Sequence, residues 1–196
     1  MRRQVNNFIS VAYTAIKFCL LKVFHGKNFK FDIVERFSPN VVTEFNKGSH
    51  VQLGKMVRVH SGSKIKVRSG AQLFIGANTR INYNCIIACH DCIRVGEGTE
   101  FGPAVFVYDH DHDYRVGLKE NRFKTAPIVI GRNCWIGANC IILRGTEIGD
   151  NSVVGAGTVV KGIYAPNSLI VSEKKNRVEC IEFKRAGKES GKHDGD

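Results

Sequence analysis

Apolar side chains recur at every sixth position over residues 130–161, and the residues between them are mostly small or polar. The apolar first positions of the successive six-residue units are Ile130, Ile136, Ile142, Ile148, Val154 and Val160. A period of six fits neither an α-helix nor the two-residue alternation of a flat sheet. It predicts an all-β fold, a parallel β-helix in which each unit supplies one short strand and three units close one triangular coil.

The other positions of the unit follow the same repeat. The fifth positions are small or carry a thiol and are Cys134, Cys140, Thr146, Ser152 and Thr158. Glycine fills most second positions, and we expect it there because the chain turns a corner where a positive φ costs glycine nothing. A looser repeat at Val59, Val67 and Ile75 precedes this stretch, so the pattern predicts a coil from about residue 50 to about residue 165.

The repeat divides the chain into four segments. Residues 1–26 are predicted to form an N-terminal helix, and residues 27–50 an irregular leading segment. Residues 51–183 are predicted to form the β-helix domain, from which a long polar loop at 108–127 is extruded. The tail 184–196 is polar and contains glycine, so we expect it to be disordered.

The N-terminal segment has the pattern of an amphipathic helix. Its apolar residues at spacings of three and four are Phe8, Ala12, Ala15, Ile16, Cys19, Leu20 and Val23. Two lysines interrupt the run, and we expect it to be too short and too charged to span a bilayer. Two roles stay open, a plug over the open end of the coil and a helix that lies in an anionic membrane interface with its basic residues toward the headgroups.

The 196 residues carry a formal net charge of +11. The basic residues are scattered over both ends instead of forming an aromatic-lined groove, which argues against nucleic acid as a partner. Seven cysteines lack the spacing of a disulfide framework and favour a reducing, cytoplasmic setting. Cys85, Cys89 and Cys92 lie close together, but no second cluster completes the four ligands of a structural zinc site, so no metal is expected.

The polar loop carries the run Asp109-His110-Asp111-His112-Asp113-Tyr114. Histidine is the natural general base near neutral pH. Two histidines in an extended segment could instead bind a divalent metal, or the loop could be an inert exposed segment. Since no serine or cysteine has the context of a nucleophile, we do not expect a covalent acyl-enzyme.

The repeats resemble those of the hexapeptide-repeat acyltransferases, whose parallel β-helix is left-handed. The loop and the preceding coil are similar to the galactoside, maltose and nodulation-type O-acetyltransferases, and to polysaccharide-directed relatives with His-Asp-Tyr. In those enzymes an Asn-x-Asn precedes the catalytic histidine, and here that motif is Asn82-Tyr83-Asn84. The resemblance implies that His112 is the base, that Asn82 and Asn84 bind the acceptor, and that His110 flanks the base or contacts the substrate.

The resemblance also implies a site for acetyl-CoA. The implied cofactor-binding residues are Trp135, Gly137, Ala138, Ala156, Lys161 and Arg177, with Lys174 and Lys175 as further groups for the CoA phosphates. Relatives use a backbone N–H at the position of Ala138 to polarise the thioester. The chain departs from the family at residues 172–177, which lack the usual Gly-x-Pro-Ala ending.

The function implied is an acetyl-CoA-dependent O-acetyltransferase that acts on a sugar hydroxyl in the biosynthesis of a surface polysaccharide such as a capsule, an O-antigen or an exopolysaccharide. The resemblance further implies a homotrimer with the site between subunits, in the cytoplasm or at the inner face of the membrane. Three alternatives stay open: an N-acetyltransferase on an amino or nucleotide-linked sugar, a metal-dependent hydrolase of the β-helix carbonic anhydrase type, and a non-catalytic scaffold.

Overall fold

The computed structural model describes residues 2–32, 34–116 and 122–173. The chain begins with an α-helix, α1, at Arg2–His25, followed by a short 3-10 helix at Gly26–Asn28. Twenty short strands then wind into three parallel sheets, in which each strand pairs with the strands one coil before and one coil after it. The predicted all-β parallel β-helix is therefore confirmed.

The strands are assigned to the sheets in strict rotation. Sheet A contains β1 Phe29–Lys30, β4 His50–Leu53, β7 Gln72–Ile75, β10 Cys92–Val95, β15 Ile128–Ile130, β18 Glu147–Ile148 and β21 Ile163–Tyr164. Sheet B contains β2 Arg36–Phe37, β5 Arg58–Val59, β8 Arg80–Ile81, β11 Glu100–Phe101, β16 Trp135–Ile136, β19 Val153–Val154 and β22 Leu169–Ile170. Sheet C contains β3 Val42–Phe45, β6 Lys64–Val67, β9 Ile86–Cys89, β12 Phe106–Tyr108, β17 Ile141–Leu143 and β20 Val159–Val160.

The interior of the coil is filled as the repeat predicts. All six apolar first positions between Ile130 and Val160 are at most 2% exposed. The small fifth positions are buried as well, and the side chains of Cys134, Cys140, Thr146 and Ser152 donate to backbone carbonyls of the coil. Each unit thus buries one large apolar and one small side chain, which explains why both positions are so restricted.

The reason given for glycine at the second position was wrong. Gly137 does not have a positive φ, but a Cβ there would lie 2.6 Å from the backbone N of Ala156 in the next coil. Glycine is needed because adjacent coils approach too closely for a side chain. Positive φ occurs instead at the fourth position of each unit, where asparagine or glycine stands: Asn133, Asn139, Gly145, Asn151 and Gly157.

The coil begins earlier than the repeat predicts. β1, β2 and β3 lie within the segment predicted to be irregular, yet each belongs to one of the three sheets. Phe29 of β1, Phe37 of β2 and Val41, which precedes β3, are buried. These aromatic and widely spaced residues do not follow the six-residue pattern, because the first coil must also receive α1.

α1 covers the first coil with an unexpected face. Phe18 is fully buried and contacts the rings of Phe29 and Phe37. Thr14 Oγ1 accepts the N–H of Phe37 at 2.9 Å, and Lys17 Nζ donates to Val41 O at 2.9 Å. The helix therefore caps the coil, but the apolar face predicted from the sequence points to solvent, with Phe8, Ile16, Leu20 and Val23 all exposed.

Two corners of the triangular coil matter for function. At the B–C edge the chain turns from sheet B into sheet C, at residues 82–84, 102–104, 137–139 and 155–157. At the C–A edge it turns from sheet C into sheet A, and the long loop leaves the coil there, between β12 and β15. The described part of that loop contains an antiparallel hairpin of β13 His110–His112 and β14 Phe123–Thr125, which the sequence did not predict.

Candidate active site

The two histidines of the loop lie on β13, at the base of the extruded loop. Their positions are fixed by Asp109, which is fully buried although it lies in a polar run. Its carboxylate accepts the backbone N–H groups of His90 and Asp91, each at 2.8 Å. The loop is therefore tied to the preceding coil immediately before the first histidine.

Asp109 also faces the first of the two histidines. Nδ1 of His110 lies 3.2 Å from Oδ1 of Asp109. Burial raises the pKa of the Asp109 carboxyl, but the hydrogen bonds from His110 and from the N–H groups of His90 and Asp91 outweigh it, so the pKa lies below its usual value. An ionised carboxylate that accepts a hydrogen bond from Nδ1 leaves Nε2 of His110 as the proton acceptor.

His90 supports the ring of His110 from the coil. The two imidazoles are parallel, with centroids 3.4 Å apart, and Phe123 meets both rings edge-on. Burial, helped by the nearby charges of His110 and Arg68, lowers the pKa of His90 to about 4. His90 is thus neutral at pH 7, and its Nε2 accepts a hydrogen bond from Arg68 Nε at 3.3 Å.

His112 is exposed and faces a cavity. The cavity has a volume of about 560 Å³, and its lining residues are Asp111, His112, Tyr114, Arg115, Lys124 and Arg144. Arg144 Nε binds Asp111 Oδ2 at 2.6 Å, and Lys124 Nζ binds Asp113 at 2.8 Å. The cavity thus places an imidazole among cations that are themselves held by carboxylates.

Two of the predicted acceptor-binding residues, Asn82 and Asn84, lie at the B–C edge, whereas the third, His110, lies on the loop. Asn82 is half-buried, and its Oδ1 accepts the backbone N–H of Tyr83 at 2.9 Å. Asn84 has a φ of 58° and its Oδ1 lies over Gly62, where a Cβ would be only 2.0 Å away. Asn84 therefore has a structural role in the turn.

Most of the predicted CoA-binding residues lie along the same edge. Trp135 is 60% exposed on sheet B, and Gly137, Ala138 and Ala156 follow at the corner in two consecutive coils. The ladder between coils uses the N–H groups of Gly137 and Asn139, which donate to Val154 O and Pro103 O. Among the described residues, the N–H of Ala138, between these two, donates to no backbone carbonyl, and the residues at this corner are small. These features fit an extended pantetheine arm.

One chain does not bring these two sets of residues together. Asn82 and Ala138 are at the B–C edge, whereas both loop histidines and Lys161 are at the C–A edge. A four-residue strand of sheet C such as β9 separates the edges by about 13 Å. The predicted Lys174, Lys175 and Arg177 lie outside the described residues, as do loop residues 117–121 and the tail 184–196.

Sequence reasoning overlooked Asp109, His90 and Arg144. A signal for Asp109 was present, because Val105 and Val107 point inward and strict alternation places residue 109 inward as well. Among the residues that the structure describes, no group of three or more His, Cys, Asp or Glu side chains is placed to hold a metal ion.

Residues 127–161 match the family model described as the hexapeptide repeat of succinyl-transferase. The galactoside O-acetyltransferase of Escherichia coli is 35% identical over 96 residues, which cover 48% of this chain and 47% of that protein. The putative lipopolysaccharide biosynthesis O-acetyl transferase WbbJ of Escherichia coli is 30% identical over 108 residues, 50% of this chain and 55% of that protein. The chain thus matches about half the length of these curated relatives.

Among solved structures, AntD from Bacillus cereus, described as an N-acyltransferase in complex with dTDP and 3-hydroxybutyryl-CoA, superposes with a TM-score of 0.62. The match covers 85% of this chain and 88% of that chain at 19% sequence identity, which bears on the fold alone. The repeat match and the two relatives confirm the resemblance predicted from the sequence, and AntD supports the fold: residues 127–161 match the hexapeptide repeat, and the chain is similar to proteins named as O-acetyltransferases.

Proposed function

We propose that the protein is an acetyl-CoA-dependent O-acetyltransferase that acts on a sugar hydroxyl, in the biosynthesis of a surface polysaccharide. The observation that carries this proposal is the paired histidines of the extruded loop, one held by a buried carboxylate and the other open to a cationic cavity. Support comes from the two relatives, both named as O-acetyltransferases.

The reaction needs one proton acceptor and no covalent intermediate. The base takes the proton of the sugar hydroxyl as its oxygen attacks the thioester carbonyl carbon. The carbon–sulfur bond then breaks, and the imidazolium returns the proton to the departing thiolate. General-base help of this kind contributes about 10²- to 10⁴-fold, and the positioning of both substrates supplies much of the rest.

Each loop histidine is supported as the base by a different observation. His112, the base implied by the resemblance, is exposed and lines the cavity beside Arg144. His110 has the oriented ring, because Asp109 fixes its Nδ1 and His90 stacks on it. We retain His112 as the base and treat the His110–Asp109 pair as the competing assignment, which single variants separate.

The acetyl donor is proposed to lie along the B–C edge. Trp135 would form an apolar wall for the pantetheine arm, and the N–H of Ala138 would polarise the thioester carbonyl. Ala156 and Gly137 leave room for the arm because neither carries a long side chain. Lys161 is at the other edge, so it would meet the CoA phosphates only from a neighbouring copy.

A homotrimer would complete the site. The outer face of sheet C, between the two edges, carries an apolar ladder in register: Ile86, Phe106, Ile141 and Val159. Three copies that turn this face toward a threefold axis would place the B–C edge of one copy against the C–A edge of the next. Asn82 of one subunit would then face the loop histidines of its neighbour.

Transfer to an amino group is the second candidate. AntD, which shares the fold, is described as an N-acyltransferase, and the same base and CoA edge would serve an amino sugar. The acceptor decides between the two reactions. Release of CoA thiol should therefore be followed against neutral sugars, amino sugars and nucleotide-linked amino sugars, and the product should be assigned by mass spectrometry and NMR.

The test uses His112→Ala, His110→Ala and Asn82→Ala, with the exposed His50→Ala as the control. Loss of at least 10²-fold in kcat for His112→Ala, with His50→Ala unchanged, supports the proposed base. A comparable loss in His110→Ala alone would show that His110, oriented by Asp109, is the general base. If the parent protein neither binds acetyl-CoA nor releases thiol with any acceptor, the transferase proposal is wrong.

Mixing two inactive variants tests the shared site. When His112→Ala and Asn82→Ala protomers reassort at equal amounts, about a quarter of the sites should receive both intact residues if they come from neighbouring subunits. Recovery of about a quarter of the parent rate supports the trimeric site. No recovery in verified mixed trimers contradicts it.

A further inference from the structure

The strongest feature outside the proposed active site is the outer face of α1. At 100° per residue, the exposed apolar positions of this helix fall in one arc of about 160°. Six large side chains in the arc are between 49% and 82% exposed, namely Phe8, Ile9, Ile16, Leu20, Val23 and Phe24. Between residues 7 and 25, the other positions in the arc are Ala12, Tyr13 and Cys19, and no position of the arc in this range is charged.

The helix presents its apolar side to solvent and its more polar side to the protein. The face on the coil contains the buried Ser10 and Thr14 beside Phe18. A helix that served only as a plug would bury its apolar arc in the core. The observed orientation leaves a contiguous apolar surface, which in soluble proteins marks a site of interaction.

The charges around the arc indicate an anionic partner. Lys17 and Lys22 lie at its two borders, and α1 contains no acidic residue. A cavity of about 680 Å³ opens beside the arc, and Ile9 lines it together with Arg36, Arg58 and His60. A second copy seated on the arc would bring lysines together without acidic partners. An anionic bilayer complements both surfaces, because its acyl chains would contact the apolar arc and its headgroup phosphates would bind in the basic cavity.

We propose that α1 docks the protein on an anionic bilayer surface, with the apolar arc in the acyl boundary and Arg36 and Arg58 on headgroup phosphates. The segment Asn7–Asn28 is long and apolar enough to cross a membrane by length and composition, contrary to the sequence expectation. Spanning, however, would pull Phe18 out of its aromatic cluster and Lys17 and Lys22 off the carbonyls of Val41 and Phe29. The helix therefore lies in the membrane plane.

The test is cosedimentation of the full chain with phosphatidylcholine vesicles that contain or lack phosphatidylglycerol, at low and high salt. Leu20→Asp should weaken binding to the anionic vesicles at least tenfold. Leu169→Asp is the matched control, because Leu169 is exposed on sheet B at the far end of the coil. Arg58→Gln should reduce the preference for anionic vesicles, whereas Arg94→Gln on sheet A should not. Circular dichroism verifies the fold of each variant.

Three outcomes overturn the proposal. The parent protein does not bind anionic vesicles, or the folded Leu20→Asp variant binds as the parent does. The third outcome is that alkaline carbonate does not extract the parent protein from the vesicles, which would show that the helix spans the bilayer. If vesicle binding is absent and Leu20→Asp abolishes self-association instead, the arc is covered by a second copy. None of these readouts uses acetyl transfer, so the docking proposal and the proposed reaction fail independently.

Discussion

Glu35 precedes β2 in the first coil and is fully buried. One carboxylate oxygen accepts the backbone N–H of Asp32 at 3.4 Å, while the other has no hydrogen-bond partner among the described residues. Burial raises the pKa of this carboxyl to about 8, and the negative charge of Asp32 adds to the effect. Folding therefore favours the protonated form, and the charged form is destabilising.

The sign of the pH dependence follows from this raised pKa. Between the ordinary value of 4.5 and the folded value of about 8, the folded chain holds a proton that the unfolded chain has lost. The free energy of unfolding must fall as pH rises through this window. At about 1.4 kcal/mol per pH unit, the ionisation of Glu35 costs roughly 3 kcal/mol at pH 7 and roughly 5 kcal/mol at pH 9.

Glu35→Gln keeps the shape of the side chain and removes its ionisation. We expect the variant to exceed the parent in stability by less than about 1 kcal/mol at pH 5 and by about 3 kcal/mol at pH 7. Urea denaturation at fixed protein concentration, followed by circular dichroism from pH 5 to pH 9, measures the difference. The exposed Glu147→Gln is the control and should follow the parent. Parallel pH profiles for Glu35→Gln and the parent would refute the reasoning.

Three further substitutions test separate features of the coil and the loop. Asp109→Asn should lower kcat at least about tenfold at unchanged KM for acetyl-CoA, because His110 loses its oriented carboxylate; an unchanged kcat in steady-state assays would remove Asp109 from the mechanism. Gly137→Ala should lower the melting temperature more than Gly70→Ala. An alanine at residue 70 would be strained by its positive φ, but its Cβ would have no atom within 4 Å. Equal shifts of the two melting temperatures would contradict the argument that adjacent coils approach too closely at Gly137. Ala104→Asn should raise stability by roughly 0.5 to 1 kcal/mol in denaturant titrations, because Ala104 has a φ of 54°; a lower stability would count against it.

The interior of the coil could be predicted because one physical requirement repeats in every unit. Each short strand must bury a large apolar residue, so Ile136 and Ile142 reveal both the position of the strand and which of its side chains points into the coil. The turn could have been predicted too, since asparagine or glycine recurs three residues after each first position, as at Asn133 and Asn139. That signal was overlooked because glycine at the second position is equally regular and was given the wrong physical reason.

The orientation of α1 could not be read from amphipathicity alone. The end of a β-helix offers backbone carbonyls as well as an apolar interior, so the helix that covers it needs hydrogen-bond donors such as Lys17 and Lys22. Thr14 and Phe18 supply the rest of the contact. Periodicity identifies an apolar face but does not say whether the protein or another surface covers it.

The division of the candidate site between two edges has a similar cause. Spacing along the sequence aligns Asn82 with the loop histidines, but it does not show that sheet C separates them in one chain. Counting three sides per coil assigns each residue to an edge. This assignment is the reason why we propose that a second subunit completes the motif carried over from the relatives.

The cap and the candidate site meet at Tyr83. This residue lines the basic cavity beside α1 and adjoins Asn82 at the B–C edge. Asn82 follows β8, which is two coils beyond β2, so it lies about 10 Å above the first coil along the coil axis. Arg58 belongs to β5, one coil below β8, so a phosphate held by Arg58 would stand about 5 Å from the acceptor position along the coil axis, about the length of one sugar. If both proposals hold, a glycan carried on a lipid phosphate should be acetylated faster on anionic vesicles than in solution, whereas a free sugar should show no such gain.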